Sequence, residues 1–142
     1  MSTEENKVIV RRFYEEVINQ ANLDAIEELM DPEHQDHGEV LFGSVHGRDA
    51  IRDGIRAFTT VVPDYHVAVQ DMVAEGDMVG VLGVMGGTQR GDLLGIPATN
   101  RQLSWNGIAM FRVANGKIVE RWFNADSLSI LQQLGAVPTP GN

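Results

Sequence analysis

The sequence predicts an α+β domain in which a strongly curved antiparallel sheet wraps around N-terminal helices and encloses a pocket, as in a cone-shaped barrel. The hydrophobic period is helical as far as Val62 and changes to two from Asp64 onward, which indicates helices followed by strands. Turn signals at Gly76 and at Asn115-Gly116 divide the second half into long strands. Because the helices cover only part of such a sheet, its wide end stays open to a ligand.

Three helices are predicted before the sheet. The first begins at Ser2, with Glu5 in the spacing of a capping box, and its apolar side carries Ile9, Val10, Phe13, Tyr14, Val17 and Ile18. The second is short and ends before Pro32, because proline disfavours helical geometry in the residue before it. The third follows Gly47 and ends before Pro63.

The chain is predicted to be one domain over residues 1–135 with a flexible tail over residues 136–142. Residues 34–47 form an irregular segment or a short strand, and a short closing helix starts at Asp126 and is capped by Gly135. The tail is short and rich in proline and glycine. A chain of 142 residues buries about 70% of its unfolded surface, so packing alone can hold the fold.

Composition excludes several classes of protein. The chain has no cysteine, so disulfides, thiolate metal ligands and a cysteine nucleophile are excluded. A net charge of -9 argues against nucleic-acid partners, which need a basic face. The acidic N-terminus is unlike a secretory signal and no apolar run approaches the roughly 20 residues that span a bilayer. We therefore expect a cytoplasmic protein without a membrane partner.

The Asn115-Gly116 turn lets the register of the last hairpin be counted. A two-residue loop pairs Ala114 with Lys117, and an unbroken ladder then gives one face with Trp105, Gly107, Ala109, Phe111, Ile118, Glu120, Trp122, Asn124 and Asp126. We assign this face to the cavity because it holds both tryptophans, two small residues and a polar end. One β-bulge between Gly107 and Trp122 would invert part of the assignment.

The same counting at the Gly76 hairpin places His66 on the cavity face. The alternative for His66 is an exposed histidine just after the Pro63-Asp64 turn. Asp126 also has an alternative, because an aspartate followed by Ser127 fits the N-cap of the closing helix. A carboxylate that accepts backbone amide hydrogens is held ionised and makes a weaker base.

The chain resembles the SnoaL-like polyketide cyclases of the NTF2-like superfamily over nearly its whole length. The resemblance is carried by VRRFYEEVINQANLDAIEELM, the Asp36-His37 pair, the GTQRG segment, GIPATN, GKIVERW and the final aspartate before LSILQQLG. Gln89 stands where typical members carry histidine, and Ala98-Thr99-Asn100 replaces Pro-Thr-Gly. The resemblance implies the cone-shaped fold described above.

The resemblance also implies a function: intramolecular aldol ring closure or isomerisation of a small polyketide-like substrate, without cofactor or metal. Asp126 would be the acid/base, and Tyr14 would line the pocket. Removal of a proton beside a ketone leaves an enolate that needs a donor, for which Tyr14, Asn124, His37 and Gln89 are candidates. We take Asp126 and His37 as catalytic candidates, and Tyr14, Trp105, Trp122, Asn124, His66 and Gln89 as substrate contacts.

Other readings stay open at this point. An epoxide hydrolase or hydratase on the same fold would use a carboxylate and an activated water, and would need a second carboxylate or an Arg/Asp pair in the cavity. A non-catalytic domain would hold a small apolar ligand or nothing. Metal binding by His34, Asp36 and His37 is disfavoured, because their spacing matches no established signature. A homodimer is expected through the outer sheet face, which is predicted to carry Ile108, Met110, Val119 and Phe123.

Overall fold

The computed structural model, which describes residues 2–38 and 43–140, confirms the α+β class. Helix α1 (Thr3–Arg12) continues as a π-helical segment (Phe13–Asn19), and a 3₁₀ turn (Leu23–Ala25) leads into the short helix α2 (Ile26–Leu29). Helix α3 spans Arg48–Val61 and the closing helix α4 spans Ser127–Gln133. The predicted helices are therefore all present.

The strands form one curved sheet that does not close on itself. They are β1 (Met30–His37), β2 (Val45–His46), β3 (His66–Glu75), β4 (Met78–Thr88), β5 (Gln102–Ala114) and β6 (Lys117–Ala125). Their spatial order is β2-β1-β6-β5-β4-β3, and only the β1–β6 pair is parallel. Strand β1 therefore joins the sheet beside the last strand.

The first helix is fixed at both ends by side-chain hydrogen bonds. The hydroxyl of Ser2 accepts from the Glu5 amide at 3.1 Å, and the Glu5 carboxylate accepts from the Ser2 amide, which confirms the capping box. At the other end, the Asn19 side chain donates to the Val67 carbonyl at 2.9 Å and accepts from the Val67 amide at 2.8 Å. These bonds hold the helix against β3, so Tyr14 is directed into the concave side of the sheet.

A β-bulge at Val119 changes the register of the last hairpin. Asn115 and Gly116 both have positive φ, as the turn requires, and Val113 pairs with Ile118 as predicted. Arg112 then pairs with Glu120, so Val119 is an extra residue in β6. Beyond this point the predicted face assignment of β6 is wrong, because one added residue exchanges the two faces of a strand.

A second bulge at Gln70 has the same effect in β3. Asp71 pairs with Leu82, whereas Val69 pairs with Gly83, so Gln70 is the extra residue. Val67 consequently faces the core and His66 faces outward. The prediction that His66 lies on the cavity face is therefore wrong.

The core lies between the concave side of the sheet and the helices. Strand β5 has no bulge against β4, and its residues alternate strictly between exposed and buried as far as Phe111. The apolar side of the first helix packs against this surface, where Phe13, Tyr14 and Phe111 form edge-to-face contacts. The wide end of the cone, under α3, is less completely filled.

Residues 136–140 contain neither helix nor strand, and residues 141–142 of the predicted tail lie outside the described residues. Residues 39–42, within the segment predicted to be irregular or a short strand, also lie outside them. No helix within residues 2–38 and 43–140 is long and apolar enough to cross a membrane.

Candidate active site

The wide end of the cone contains a cavity of about 220 Å³ between α3, the first helix and the concave side of the sheet. Its walls are mostly apolar, and they include Phe13, Tyr14, Ile18, Asp36, Val45, Ile51, Gly54, Ile55, Phe58, Thr59, Tyr65, Val67, Met85, Trp105, Arg121 and Phe123. A concave apolar site with a few polar groups is the usual form of a small-molecule site.

An ion pair between Asp36 and Arg121 is the polar centre of this cavity. The two residues are direct partners in the parallel β1–β6 pair, and the bulge at Val119 turns Arg121 inward. Arg121 Nε donates to Asp36 Oδ1 at 2.6 Å and its second nitrogen donates to Oδ2 at 2.8 Å. This bidentate geometry fixes the orientation of both side chains.

The Arg121 guanidinium lies among aromatic rings. Its central carbon is 5.1 Å from the ring centre of Phe123, 5.9 Å from that of Phe13 and 6.0 Å from that of Phe111. Such contacts with ring faces attract a cation. The side chains of Arg121 and Asp36 are only 20% and 8% exposed, so the pair is partly sheltered from solvent screening.

His34 lies behind Asp36 and is completely buried. Its Nε2 is 3.7 Å from Asp36 Oδ1, and neither ring nitrogen has a hydrogen-bond partner among the described residues. A buried polar atom without a partner is costly. A small shift of the Asp36 carboxylate would bring it within hydrogen-bonding distance of His34.

The surroundings of the ion pair keep both of its members charged. Burial alone would raise the pKa of Asp36, but His34 and Arg121 outweigh it and hold that pKa well below its usual range. Burial likewise disfavours the charged form of Arg121, but its bonds to Asp36 raise its pKa. The cavity therefore contains a carboxylate and a guanidinium at neutral pH.

Tyr14 and Tyr65 add two neutral hydroxyl donors. Burial raises the pKa of Tyr14 to about 12, with Arg121 acting in the opposite direction, and burial also raises the pKa of Tyr65. Both hydroxyls therefore keep their protons at neutral pH. No hydrogen bond of either hydroxyl occurs within the described residues, so both can donate to a ligand.

Two of the predicted site residues lie in the cavity. Tyr14 is in its wall, and Trp105 is 5% exposed and stacks on Tyr65, with ring centres 6.1 Å apart. Trp105 was placed correctly because β5 contains no bulge. The resemblance had placed Tyr14 correctly.

Asp126 does not line the cavity. It is exposed, and its Oδ1 accepts a hydrogen bond from the Ser129 amide at 3.1 Å as the N-cap of α4. The bulge at Val119 is the physical reason, because it moves Asp126 to the opposite face of the sheet. The prediction of an inward carboxylate at this position is wrong, and the helix-cap alternative is confirmed.

His37 and Trp122 lie on the outer face of the sheet. They are direct partners in the β1–β6 pair, their rings stack at 5.1 Å, and His37 Nε2 is 2.7 Å from Glu120 Oε2. The side chain of His37 is 39% exposed. Neither residue lines the cavity, so their predicted contacts with substrate are not supported by this placement.

The remaining predicted contacts also lie elsewhere. Asn124 is exposed and pairs with Ile108 on the outer face. His66 is exposed, and its Nδ1 is 3.2 Å from the Asp64 carbonyl. Gln89 is completely buried, but it holds together the loop over residues 91–99 instead of facing the cavity.

Gln89 satisfies both ends of its amide within this loop. Its nitrogen donates to the carbonyls of Gly91, Ile96 and Pro97, and its oxygen accepts from the amide and hydroxyl of Thr99. A histidine at position 89 could not reproduce this set of bonds, because it has no amide group. Gln89, which stands where typical members carry histidine, therefore has a structural role.

The directions of His34, Asp36 and His37 in β1 do not support a metal site formed by these residues. His34 and Asp36 face inward and His37 faces outward, as strand alternation requires. Within residues 2–38 and 43–140, no group of three or more metal-ligating side chains is suitably placed to hold an ion.

The sequence reasoning missed Asp36, Arg121, Tyr65 and His34. Arg121 had no clear signal, because the apolar residues of β6 stand at both even positions, 118 and 122, and odd positions, 119, 123 and 125. Asp36 had no signal either, because its inward direction depends on parallel pairing with a strand remote in sequence.

Replacing Asp126 with alanine tests its structural role. We expect α4 to lose its N-cap and the protein to lose about 1 kcal/mol of its free energy of unfolding, as measured by urea denaturation. Asp126→Asn preserves the cap and is the matched control. A loss of catalytic activity in the folded Asp126→Asn variant would show that the carboxylate does more than cap the helix.

Comparison with known proteins agrees with this fold. The SnoaL-like polyketide cyclase family matches over residues 8–134. Among solved structures, the candidate SnoaL-like polyketide cyclase from Jannaschia sp. CCS1 has a TM-score of 0.86 at 23% identity, covering 96% of this chain and 95% of that one. No curated protein matches significantly.

Two further structures share somewhat more of the sequence. TsrD from Streptomyces laurentii has a TM-score of 0.85 at 26% identity, covering 96% of this chain and 99% of that one. IdmH from Streptomyces antibioticus, a candidate polyketide cyclase, has a TM-score of 0.81 at 29% identity, covering 92% and 98%.

The curved sheet, the helices on its concave side and the apolar cavity between them define a fold of the NTF2-like type. The family match covers most of the chain, and the protein therefore belongs to the SnoaL-like polyketide cyclase family.

Proposed function

We propose that the protein catalyses cofactor-independent acid/base chemistry, ring closure by an intramolecular aldol reaction or isomerisation, on a small polyketide-like substrate. It would thus act as a lyase or isomerase. The observation that carries this proposal is the Asp36–Arg121 pair inside an apolar cavity. This pair supplies a base and a cation next to each other, which is what removal of a proton beside a carbonyl requires.

The proposed reaction begins with proton transfer to Asp36. The carboxylate takes a proton from the carbon beside a substrate carbonyl, and the electron pair of that C–H bond moves to the carbonyl oxygen. Arg121 and the neutral hydroxyl of Tyr14 stabilise the resulting enolate. The enolate carbon then attacks a second carbonyl of the same molecule, and the new alkoxide takes the proton back from Asp36.

The low pKa of Asp36 is compatible with this role only if Arg121 changes partner. While Arg121 is bound to Asp36, the carboxylate is a weak base. When the guanidinium turns toward the developing enolate, it leaves Asp36, whose pKa then rises. Proton transfer and enolate stabilisation thereby support each other, and the released carboxylate needs only a small shift to form a hydrogen bond with His34, whose Nε2 is 3.7 Å from Oδ1.

Exchange with solvent deuterium tests the proposal without knowledge of the natural substrate. We expect the protein to accelerate the exchange of the C1 protons of 2-tetralone in D₂O, measured by the loss of their proton NMR signal. Asp126→Asn is the control, because it leaves the cavity unchanged. Exchange no faster than in buffer, across a panel of bicyclic ketones, would contradict acid/base catalysis at this site.

A second candidate function is the opening of an epoxide by water. The observation that favours it is again the Asp36–Arg121 pair, since the carboxylate could activate water while Tyr14 or Tyr65 protonates the epoxide oxygen. Incubation with styrene oxide in H₂¹⁸O distinguishes the two functions, because this reaction places ¹⁸O in the diol product. Binding of such ligands with neither reaction would favour a non-catalytic binding domain.

The cytoplasmic location and the homodimer stay predictions. Leu82, Ile108 and Met110 are exposed on the outer face of the sheet, where the dimer contact is expected, and Val119 is half-buried. Phe123 was expected on this face, but it lines the cavity and does not contribute to the contact.

A further inference from the structure

Helix α3 covers the cavity without being packed against a filled core. Only Ile51 is buried among its 14 residues, although Ile55 and Phe58 also face the cavity. These apolar side chains remain half-buried. The helix therefore presents an apolar surface to a space that a ligand can fill.

Gly54 lies in the middle of this surface. It is one helical turn from Ala50 and from Phe58, and all three line the cavity, as the spacing of four residues requires. A β-carbon built on Gly54 meets no atom within 4 Å. Its backbone φ is not positive, so no turn or close approach of the protein chain demands glycine here.

Glycine in the interior of a helix is less stable than alanine. At position 54 alanine would fit without a clash, and yet the side chain is missing where α3 faces the cavity. We propose that Gly54 is a specificity-determining residue: the missing side chain leaves room for the substrate to approach the backbone of α3. This inference rests on the proposed use of the cavity as a substrate site.

The test compares ligands that differ only in shape at one position. Calorimetric titrations would measure the dissociation constants of 2-tetralone and of its 6-, 7- and 8-methoxy derivatives. We expect Gly54→Ala to weaken the binding of at least one methoxy derivative by about tenfold or more relative to the binding of 2-tetralone. The reason is that one carbon in a pocket changes discrimination between ligands by roughly 10- to 200-fold. The melting temperature of the Gly54→Ala variant should be higher than that of the wild-type protein.

Ala57→Gly is the matched control. Ala57 is exposed and does not line the cavity, so this variant should lower the melting temperature and leave the order of ligand affinities unchanged. The inference would be overturned if Gly54→Ala changed the dissociation constants of all four ligands by the same factor. It would also be overturned if the wild-type protein bound none of them. Ligand binding without deuterium exchange would instead contradict the proposed reaction and leave the specificity role of Gly54 intact.

Discussion

Substitution of Asp36 by asparagine is expected to slow deuterium exchange from 2-tetralone by about 10²- to 10⁴-fold, the usual contribution of general acid/base catalysis. Asparagine has nearly the same shape and can still accept a hydrogen bond from Arg121. It has no carboxylate, however, and cannot take the substrate proton. The exchange rate would be measured by NMR at equal concentrations of folded protein.

Asp36→Glu keeps the negative charge and provides a second variant in case the asparagine variant does not fold. It moves the carboxylate by about one carbon–carbon bond, and a displacement of this size can cost about 100-fold in rate. Asp126→Asn should retain the wild-type rate. If a folded Asp36→Asn variant exchanges protons within about tenfold of wild type, Asp36 is not the base.

Loss of Arg121 is expected to have the largest effect on stability. Arg121→Met leaves the Asp36 carboxylate buried without its partner, and breaking a buried pair in this way costs about 3–5 kcal/mol. The free energy of unfolding would be measured by urea denaturation at neutral pH. An effect below about 1 kcal/mol, the range of exposed pairs, would mean that solvent screens the pair more than its burial indicates.

The double variant Asp36→Leu/Arg121→Met distinguishes stability from function. Replacement of a buried ion pair by apolar side chains of similar volume is often neutral or stabilising, so the double variant should recover most of the stability lost in Arg121→Met. It should remain inactive in the exchange assay. This result would mean that the ion pair serves the chemistry and is not needed for folding.

The wild-type protein and the double variant should also differ in how much stability they lose in acid. The folded pKa of Asp36 is lowered, so its ionisation contributes stability at pH values above its unfolded pKa of about 3.9. This contribution is lost progressively as the pH falls from that value toward the lowered folded pKa. Between pH 7 and pH 3 the wild-type protein should therefore lose more stability than the double variant. Equal losses would contradict the lowered pKa of Asp36.

The sequence predicted the fold well because its signals are local. The capping box at Ser2, the turn at Asn115-Gly116 and the strict alternation along β5 each act over a few residues, and each is present in the structure. Trp105 was therefore placed on the correct face. The partial cover of the sheet by the helices predicted the cavity, and the resemblance to a known family added the position of Tyr14 in its wall.

The centre of the site was missed because two long-range features set it. The bulge at Val119 reverses the directions of Arg121 and Trp122, and a single unpaired residue has only a weak signature in sequence. The inward direction of Asp36 follows from parallel pairing of β1 with β6, in which Asp36 and its partner Arg121 are 85 positions apart. Counting residues from a turn cannot detect either feature. The carboxylate predicted to lie in the cavity was therefore Asp126, directly after β6, instead of Asp36 in β1.

The extra residue in β6 also bears on how this fold could diversify. If Val119 were instead taken into the ladder opposite Arg112, the ladder would be uninterrupted and the two faces of the strand beyond it would be exchanged. Trp122 and Asn124 would then replace Arg121 and Phe123 as the interior surface, and Asp36 would lose its counterion. A shift of the ladder by one residue could thus replace the reactive groups of the protein while the architecture around them is inherited unchanged.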